Sequence, residues 1–226
     1  ASTIKQTSME LGGNAPFIIF DNADLDEAVA GLMGAKFRNA GQTCVAPDYL
    51  LCPEGRIDEL KRALSKQFNK MYPTVAKNSD YGAIINDAQL QRLIKWKVDA
   101  KAKGATLTTL GSDTEQDCIA VGKVPLTLIN NVHDDMLLMQ EEIFGPILPV
   151  KSYKAVDDAI GYVNDHDRPL GLHYFGDDRN EENRVINSTT SGGVAVNDVI
   201  THIMQEDAPF GGVGPSGTGS YHGKEG

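Results

Sequence analysis

Two side chains in this 226-residue sequence have the type and setting needed for covalent catalysis. Cys44 lies in FRNAGQTCVAP, residues 37–47, where a Gly-Gln-Thr turn follows a helical pattern. Glu10 lies in MELGGNAP, residues 9–16, as an isolated carboxylate beside two glycines. A deprotonated cysteine is a strong nucleophile, and a carboxylate tuned toward neutrality can act as a general base. Together they indicate a thiol nucleophile assisted by a base.

The backbone around the cysteine suits this chemistry. Gly41 permits unusual backbone angles or the close approach of a substrate. The N–H of Cys44 could face the oxygen of an attacked carbonyl, and nearby N–H groups would favour the thiolate. Taken alone, each residue also has a plainer interpretation, with Cys44 as a buried inert cysteine and Glu10 as an ion-paired structural acid.

Five segments, in order along the chain, resemble motifs of the aldehyde dehydrogenase superfamily. MELGGNAP resembles its general-base segment, and FRNAGQTCVAP resembles its nucleophile segment. QEEIFGPILPV, residues 140–150, is similar to the segment that contacts the nicotinamide riboside. GVAVN at residues 193–197 and PFGGVGPSG at residues 209–217 are similar to its closing motifs.

This resemblance implies a role for each matched residue. Cys44 would attack an aldehyde to form a thiohemiacetal and then a thioester, and Glu10 would deprotonate the water that hydrolyses the thioester. Glu142 would hold the ribose hydroxyls of NAD or NADP, and Phe144 would pack near the nicotinamide ring. Glu141 is interpreted as a solvated or structural acid.

Three further residues near these motifs have weaker assignments. Asn39 is interpreted as a turn or capping residue, because its side chain readily bonds nearby backbone. Asn197 is interpreted as a structural residue that ties loops near the nucleophile. Phe210 is a candidate for lining an aldehyde tunnel, with simple packing as the alternative.

The substrate class follows from two local details of the resemblance. APDY at residues 46–49 and GSYHG at residues 219–223 look like the branch that includes coniferyl aldehyde dehydrogenases and the class 3 enzymes. That branch acts on aromatic and fatty aldehydes, so a small aldehyde of this kind is the expected partner.

The resemblance covers nearly the whole chain but corresponds only to the catalytic half of a family member. We therefore expect residues 1–226 to be a catalytic domain, with the NAD(P)-binding and oligomerisation segments absent from this chain. The isolated chain is then expected to be inactive as a dehydrogenase, and the full-length protein to be a homo-oligomer. The alternative is a non-catalytic assembly or binding module that retains the fold.

Alternating strands and helices must position these residues. Short apolar runs predict strands at residues 17–20, 49–52, 105–110, 118–128, 171–175 and 194–197. Apolar residues at helical spacing predict a helix that starts at Asp24 and delivers the chain to Asn39 and the cysteine turn. Further helices are predicted over 56–71, from Asn86 to about 102, and over 155–164 and 181–189. This alternation predicts an α/β fold, a mainly parallel sheet with helices on both faces. Functional turns are expected at the carboxyl ends of its strands.

Composition excludes several other classes of protein. The net charge of −10 comes from scattered acids, which argues against nucleic-acid binding. Three cysteines without C-x-x-C spacing, and five dispersed histidines, give no support for a disulfide framework or a metal site. No apolar run approaches the ~18 residues of a membrane span. Reduced, cytoplasmic surroundings fit these features best.

Overall fold

The computed structural model describes residues 7–224, so the outermost residues of the predicted 1–226 domain lie outside it. Its strands are β1 (Met9–Glu10), β2 (Pro16–Ile19), β3 (Tyr49–Pro53), β4 (Thr106–Thr109), β5 (Thr127–Asn130), β6 (Ile147–Tyr153), β7 (Gly171–Phe175), β8 (Gly193–Val196) and β9 (Gly217–Thr218). Its helices are α1 (Leu25–Lys36), α2 (Ile57–Met71), α3 (Asp87–Ala102), α4 (Glu115–Ile119), α5 (Leu137–Gln140), α6 (Val156–Asn164) and α7 (Arg179–Ser188).

Seven of the strands form one sheet in the order β4-β5-β6-β3-β2-β7-β8. Every neighbouring pair in this sheet is parallel except β4 with β5, which is antiparallel. The two remaining strands, β1 and β9, form a separate antiparallel ladder. The prediction of an α/β fold with a mainly parallel sheet is confirmed.

Side chains of the buried strands alternate between the two faces of the sheet, as the period of two requires. In β2, Phe17 and Ile19 pack in the core formed with α1 and α2. Ile18 and Phe20 pack on the opposite face, in the core formed with α3, α6 and α7. Helices therefore cover both faces of the sheet, and the strands are anchored between two apolar cores.

Local sequence signals explain why α1 delivers the chain to the cysteine turn. Asp24 caps the helix, and its carboxylate accepts hydrogen bonds from the N–H groups of Asp26 and Glu27. The helix ends at Lys36 with Phe37 as its C-cap, and the chain then turns at Asn39 and Ala40, which adopt left-handed backbone angles. No helix in residues 7–224 is long and apolar enough to cross a membrane.

The strand predicted over residues 118–128 is wrong for most of its length. Cys118 lies in α4, whose first turn is capped by the hydroxyl of Thr114. The chain then turns at Gly122, where φ is 73°. Pro125 interrupts the apolar run before β5 begins at Thr127. A helix, a turn and a short strand therefore occupy the segment that its apolar residues predicted to be one strand.

Candidate functional site

Three loops that lead into neighbouring parallel strands meet at the amino edge of the sheet. Glu10 precedes β2, Cys44 precedes β3, and Glu142 precedes β6. β3 lies between β2 and β6, and it is parallel to both. The expectation that these turns gather at the carboxyl ends of strands is therefore wrong, because each functional loop enters a strand instead of leaving one.

Glu10 is held at this edge by the last part of the described chain. In the β1–β9 ladder, Glu10 pairs with Gly217, and the N–H of Leu11 donates to the carbonyl of Ser216 over 2.9 Å. The hydroxyl of Tyr221 donates a 2.7 Å hydrogen bond to Glu10 Oε1. The backbone of Glu10 is thus fixed, while its side chain remains exposed to solvent.

The cysteine turn is shaped by Asn39 and Gln42. Asn39 has φ of 54° and its Nδ2 donates to the carbonyl of Gln42 over 3.2 Å, which confirms its interpretation as a turn residue. Gln42 Nε2 donates to the carbonyls of Asn39 and Ala83, and its Oε1 accepts from the N–H of Ile85. These bonds fasten the turn to the segment before α3.

Behind the turn, a buried histidine supports the residue that follows the cysteine. His173 lies in β7 and bonds through Nε2 to the carbonyl of Val45 at 2.9 Å. Burial lowers the pKa of His173 to about 4, so the ring is neutral at physiological pH and Nε2 carries the donated proton. Cys44 itself is half-buried and packs against a cluster that contains Val45 and Phe210.

The environment of the thiol raises its pKa. Burial is the largest cause, followed by the negative charges of Glu10 and Glu142. The backbone N–H groups of Cys44 and Val45 act in the opposite direction but do not offset these effects. The backbone N–H groups therefore do favour the thiolate, as expected. Burial and the two carboxylates, however, raise the pKa by more than these N–H groups lower it. At neutral pH the sulfur is protonated and needs a proton acceptor.

Glu142 packs directly against the backbone of the Glu10 segment. Its carboxylate contacts Gly12, where φ is 82° and a side chain would collide with it, and it accepts a hydrogen bond from the N–H of Gly13. Burial, and then the charge of Asp48, raise the pKa of Glu142 to about 7. The neighbouring Glu141 is exposed, as expected for a solvated acid.

Phe144 follows on the same loop in a left-handed conformation, with φ of 49°, and its side chain is 40% exposed. A half-buried carboxylate and an exposed aromatic ring thus stand two residues apart at the site. The carboxylate offers acceptors for hydroxyl groups, and the ring offers a flat apolar surface. Such a pair suits a ligand that carries both hydroxyl groups and a flat ring.

Asn197 lies at the other edge of the sheet. Its amide group accepts from the N–H of Gly176 over 2.9 Å and donates to the carbonyl of Gly176 over 3.0 Å. Gly176 follows β7, and Asn197 follows β8. These contacts confirm a structural role, at the carboxyl edge and not beside the nucleophile.

Four residues around the site escaped prediction. Lys36, Asp48 and Arg92 surround the loop that carries Glu142, and Tyr221 binds Glu10. Of these four residues, Lys36 could have been noticed in the sequence. It falls three residues after Met33 on the apolar face of α1, where a charged residue is unusual.

Within residues 7–224, no group of three His, Cys, Asp or Glu side chains could hold a metal ion.

Comparison with known proteins identifies the family to which these motifs belong. The model of the aldehyde dehydrogenase family matches residues 1–226. A protein of Pseudomonas aeruginosa named a probable coniferyl aldehyde dehydrogenase is 47% identical over 226 residues, which are all of this chain and 46% of that protein. A mouse protein named aldehyde dehydrogenase, dimeric NADP-preferring, is 41% identical over all of this chain and 48% of its own length.

Solved structures give the same result. The substrate-bound state of Staphylococcus aureus AldH superposes with a TM-score of 0.87 at 40% identity, over 96% of this chain and 46% of that chain. The chain spans about half the length of the curated relatives that it matches.

Proposed function

Because this chain belongs to the aldehyde dehydrogenase family, we propose that residues 1–226 form the catalytic domain of an NAD(P)-dependent enzyme that oxidises an aldehyde to a carboxylic acid. The observation that carries the proposal is the half-buried thiol of Cys44 close enough to the carboxylates of Glu10 and Glu142 for their charges to raise its pKa. The grouping of a thiol and two carboxylates at this edge supports the proposal.

Cys44 is the proposed nucleophile. Its thiol transfers a proton to a neighbouring carboxylate, and its sulfur attacks the aldehyde carbon. A carbon–sulfur bond forms as the carbonyl π bond breaks, which places negative charge on the oxygen of a thiohemiacetal. The backbone N–H of Cys44 lies close enough to its own sulfur to lower the thiol pKa, a placement suited to stabilising this oxygen.

Glu142 and Phe144 are the proposed cofactor contacts. The carboxylate of Glu142 would accept hydrogen bonds from the ribose hydroxyls of a bound NAD or NADP, and the ring of Phe144 would pack beside its nicotinamide. The chemistry that a bound NAD or NADP supplies is acceptance of the hydrogen and two electrons that the thiohemiacetal carbon loses, which leaves a thioester on Cys44.

Glu10 is the proposed general base for the second half of the reaction. It takes a proton from a water molecule whose oxygen attacks the thioester carbon. The carbon–sulfur bond then breaks, the carboxylic acid leaves and Cys44 recovers its thiol. The exposed side chain of Glu10 supports this role, because the attacking water must reach it from solvent.

Substitution of the proposed nucleophile tests the proposal in the whole protein. We expect Cys44→Ser to abolish aldehyde-dependent NAD(P)H formation. The matched control is Cys118→Ala, because Cys118 is buried in α4 away from the site. Activity of Cys44→Ser close to that of the wild type would contradict the proposal.

The substrate we propose is an aromatic, coniferyl-like aldehyde or a fatty aldehyde. The names of the relatives from Pseudomonas aeruginosa and another Pseudomonas strain support the aromatic class. Comparison of kcat/KM for coniferyl aldehyde, a long-chain aliphatic aldehyde and acetaldehyde distinguishes these possibilities. A preference for acetaldehyde would contradict both.

A polypeptide limited to these 226 residues is proposed to be inactive as a dehydrogenase, because the site described supplies contacts only to one end of a dinucleotide. Robust NAD reduction by that polypeptide would contradict this.

The whole protein is proposed to be a homo-oligomer, which the word dimeric in the mouse relative's name supports. Sedimentation of the whole protein tests it. Free thiols at all three cysteines support a reducing, cytoplasmic setting.

A non-catalytic assembly or binding module is the alternative. It predicts a folded whole protein that forms no NAD(P)H from any aldehyde of the panel. The presence of Cys44 together with Glu10 at one edge weighs against it, because a binding module has no need for a paired nucleophile and base.

A further inference from the structure

We propose that Asp48, Lys36 and Arg92 are positioning residues that hold the loop of residues 141–145 in the conformation that contacts the cofactor. The inference rests on the proposed function, because it concerns how Glu142 and Phe144 are presented. None of the three matches a residue whose role the family motifs implied, and all three act on the loop from behind or from its side.

Asp48 binds the loop from inside the protein. Its two carboxylate oxygens accept the N–H of Ile143 at 3.2 and 3.0 Å. Asp48 is only 3% exposed, so this contact is shielded from water. Ile143 directly follows Glu142 and precedes Phe144, so Asp48 fixes the peptide between the two proposed cofactor contacts.

Arg92 binds the same loop through two backbone carbonyls. One guanidinium nitrogen donates to the carbonyl of Ile143 over 2.6 Å, and another lies 3.4 Å from the carbonyl of Glu142. The guanidinium also stacks 4.2 Å above the ring of Trp96, which fixes its plane. Both the N–H and the carbonyl of Ile143 are therefore bound by side chains from outside the loop.

Lys36 sets the charge state of this arrangement. Its ammonium is 1% exposed and lies 3.8 Å from Asp48 Oδ1, which is an ion pair too long to be a hydrogen bond. The ammonium has no hydrogen-bond partner among the described residues. An isolated charge is costly to bury, and Lys36 is the cation that lets Asp48 remain a carboxylate at this depth.

The backbone of Phe144 gives an independent reason for such a support. A left-handed φ of 49° is strained for an aromatic residue, and such strain persists only where the surroundings over-determine it. The next residue, Gly145, lies against the side chain of Leu93, with no room for a Cβ. The exposed ring of Phe144 is therefore held outward by contacts on both neighbouring residues.

We expect Asp48, Lys36 and Arg92 to fix the geometry of the loop more than they stabilise the protein. A buried ion pair adds little net stability, because desolvation of its two charges offsets their attraction. What Asp48 and Arg92 do add is a fixed position for the two peptide units that flank Ile143. The consequence belongs to cofactor binding, and it should leave the chemistry of the thiol unchanged.

Kinetics of the whole protein test the inference. We expect Asp48→Asn to raise KM for NAD(P)+ about tenfold, the size of weakening one hydrogen bond to a charged group. The rate of Cys44 alkylation by iodoacetamide without cofactor should stay unchanged, as should KM for the aldehyde. Asp117→Asn, an exposed acid on α4, is the matched control. Unchanged KM for NAD(P)+ in a folded Asp48→Asn would overturn the inference.

A double-substitution cycle separates this inference from the proposed function. If Asp48 acts through Glu142, Asp48→Asn should add little to KM in a Glu142→Gln background. Fully additive effects would overturn the inference. No effect of Glu142→Gln alone would instead contradict the proposed role of Glu142 itself.

A second variant covers the case in which Asp48→Asn does not fold. Arg92→Lys keeps the positive charge but loses the planar guanidinium, and Arg92 is only partly buried. It should raise KM for NAD(P)+ with alkylation of Cys44 unchanged. A folded Arg92→Lys with unchanged KM for NAD(P)+ would overturn the inference.

Discussion

At the scale of single residues, the defining feature is a nucleophile that rests as a thiol. Burial and two carboxylates raise the pKa of Cys44, and one of those carboxylates is the proposed base. The carboxylate that is proposed to accept a proton from the attacking water is therefore also one of the charges that keep the proton on the sulfur of Cys44. Removing that carboxylate should have opposite effects on thiol reactivity and on turnover.

Glu10→Gln tests this opposition. Loss of the negative charge should lower the pKa of Cys44, so the thiolate fraction at neutral pH rises and alkylation by iodoacetamide becomes faster. Turnover of aldehyde should fall by about 10²-fold or more, as for loss of a general base. The control is Glu141→Gln, an exposed acid beside Glu142 on the same loop. Slower alkylation of Glu10→Gln at neutral pH would contradict the assignment.

Tyr221→Phe tests how Glu10 is oriented. The substitution removes the hydroxyl that donates to Glu10 Oε1 and leaves the ring in place. We expect slower hydrolysis of the thioester, by about tenfold or less because Glu10 is exposed, with formation of the thioester unchanged. Rapid-mixing kinetics should then show a larger burst of NAD(P)H before the steady state. The control is Tyr72→Phe, and equal bursts in both variants would contradict the role.

At the scale of elements, the site depends on loops that enter strands at one edge of the sheet. Gly41 shows how closely these loops approach. Its φ is 77°, and a Cβ there would lie 2.6 Å from the carbonyl oxygen of Gly145 and 3.1 Å from that of Lys36. The cysteine loop and the Glu142 loop are thus in backbone contact.

Gly41→Ala tests this contact against a matched glycine. The added methyl group should destabilise the protein by about 1–3 kcal/mol and impair cofactor binding, because the backbone is strained and must move. Gly34→Ala places the same group on an exposed position of α1 with no atom within 4 Å, and should stabilise by up to about 1 kcal/mol. Urea unfolding measures both. Equal effects would contradict the loop contact.

The sequence predicted most of the helices and strands, but it did not predict which edge of the sheet holds the site. Apolar periodicity was sufficient for α1, α2, α3, α6 and α7, because each buries one face against a strand. It could not show which edge of the sheet holds the site, since short loops of similar composition lie at both. Nor could it show that Asp48 and Arg92 meet at Ile143, because that contact joins three segments far apart in the chain.

At the scale of the whole molecule, buried ionisable groups make stability depend on pH. The pKa of Glu142 is raised from 4.5 to about 7 in the folded protein. The folded state therefore binds more protons than the unfolded state within that window, so rising pH lowers the contribution of Glu142 to stability. His173 acts in the opposite sense, because its pKa is lowered to about 4 and acid favours the unfolded state.

Glu142→Gln isolates the first contribution. The amide cannot ionise, so the variant should gain stability relative to wild type as pH rises from 4.5 to about 7, and keep that gain above this range. Urea midpoints on both sides of the window measure the difference. Glu141→Gln, an exposed neighbour, should show no such trend. A difference that shrinks as pH rises would contradict the direction of the pKa shift.

The β1–β9 ladder has a consequence for the order in which this chain becomes competent. Glu10 is made early, but its strand partner is Gly217 and its hydroxyl donor is Tyr221. Because synthesis runs from the amino terminus to the carboxyl terminus, Cys44 and its turn can form well before Glu10 is seated. The nascent protein therefore carries a thiol before it carries an aligned base, and the docking of residues 217–221 completes the pair.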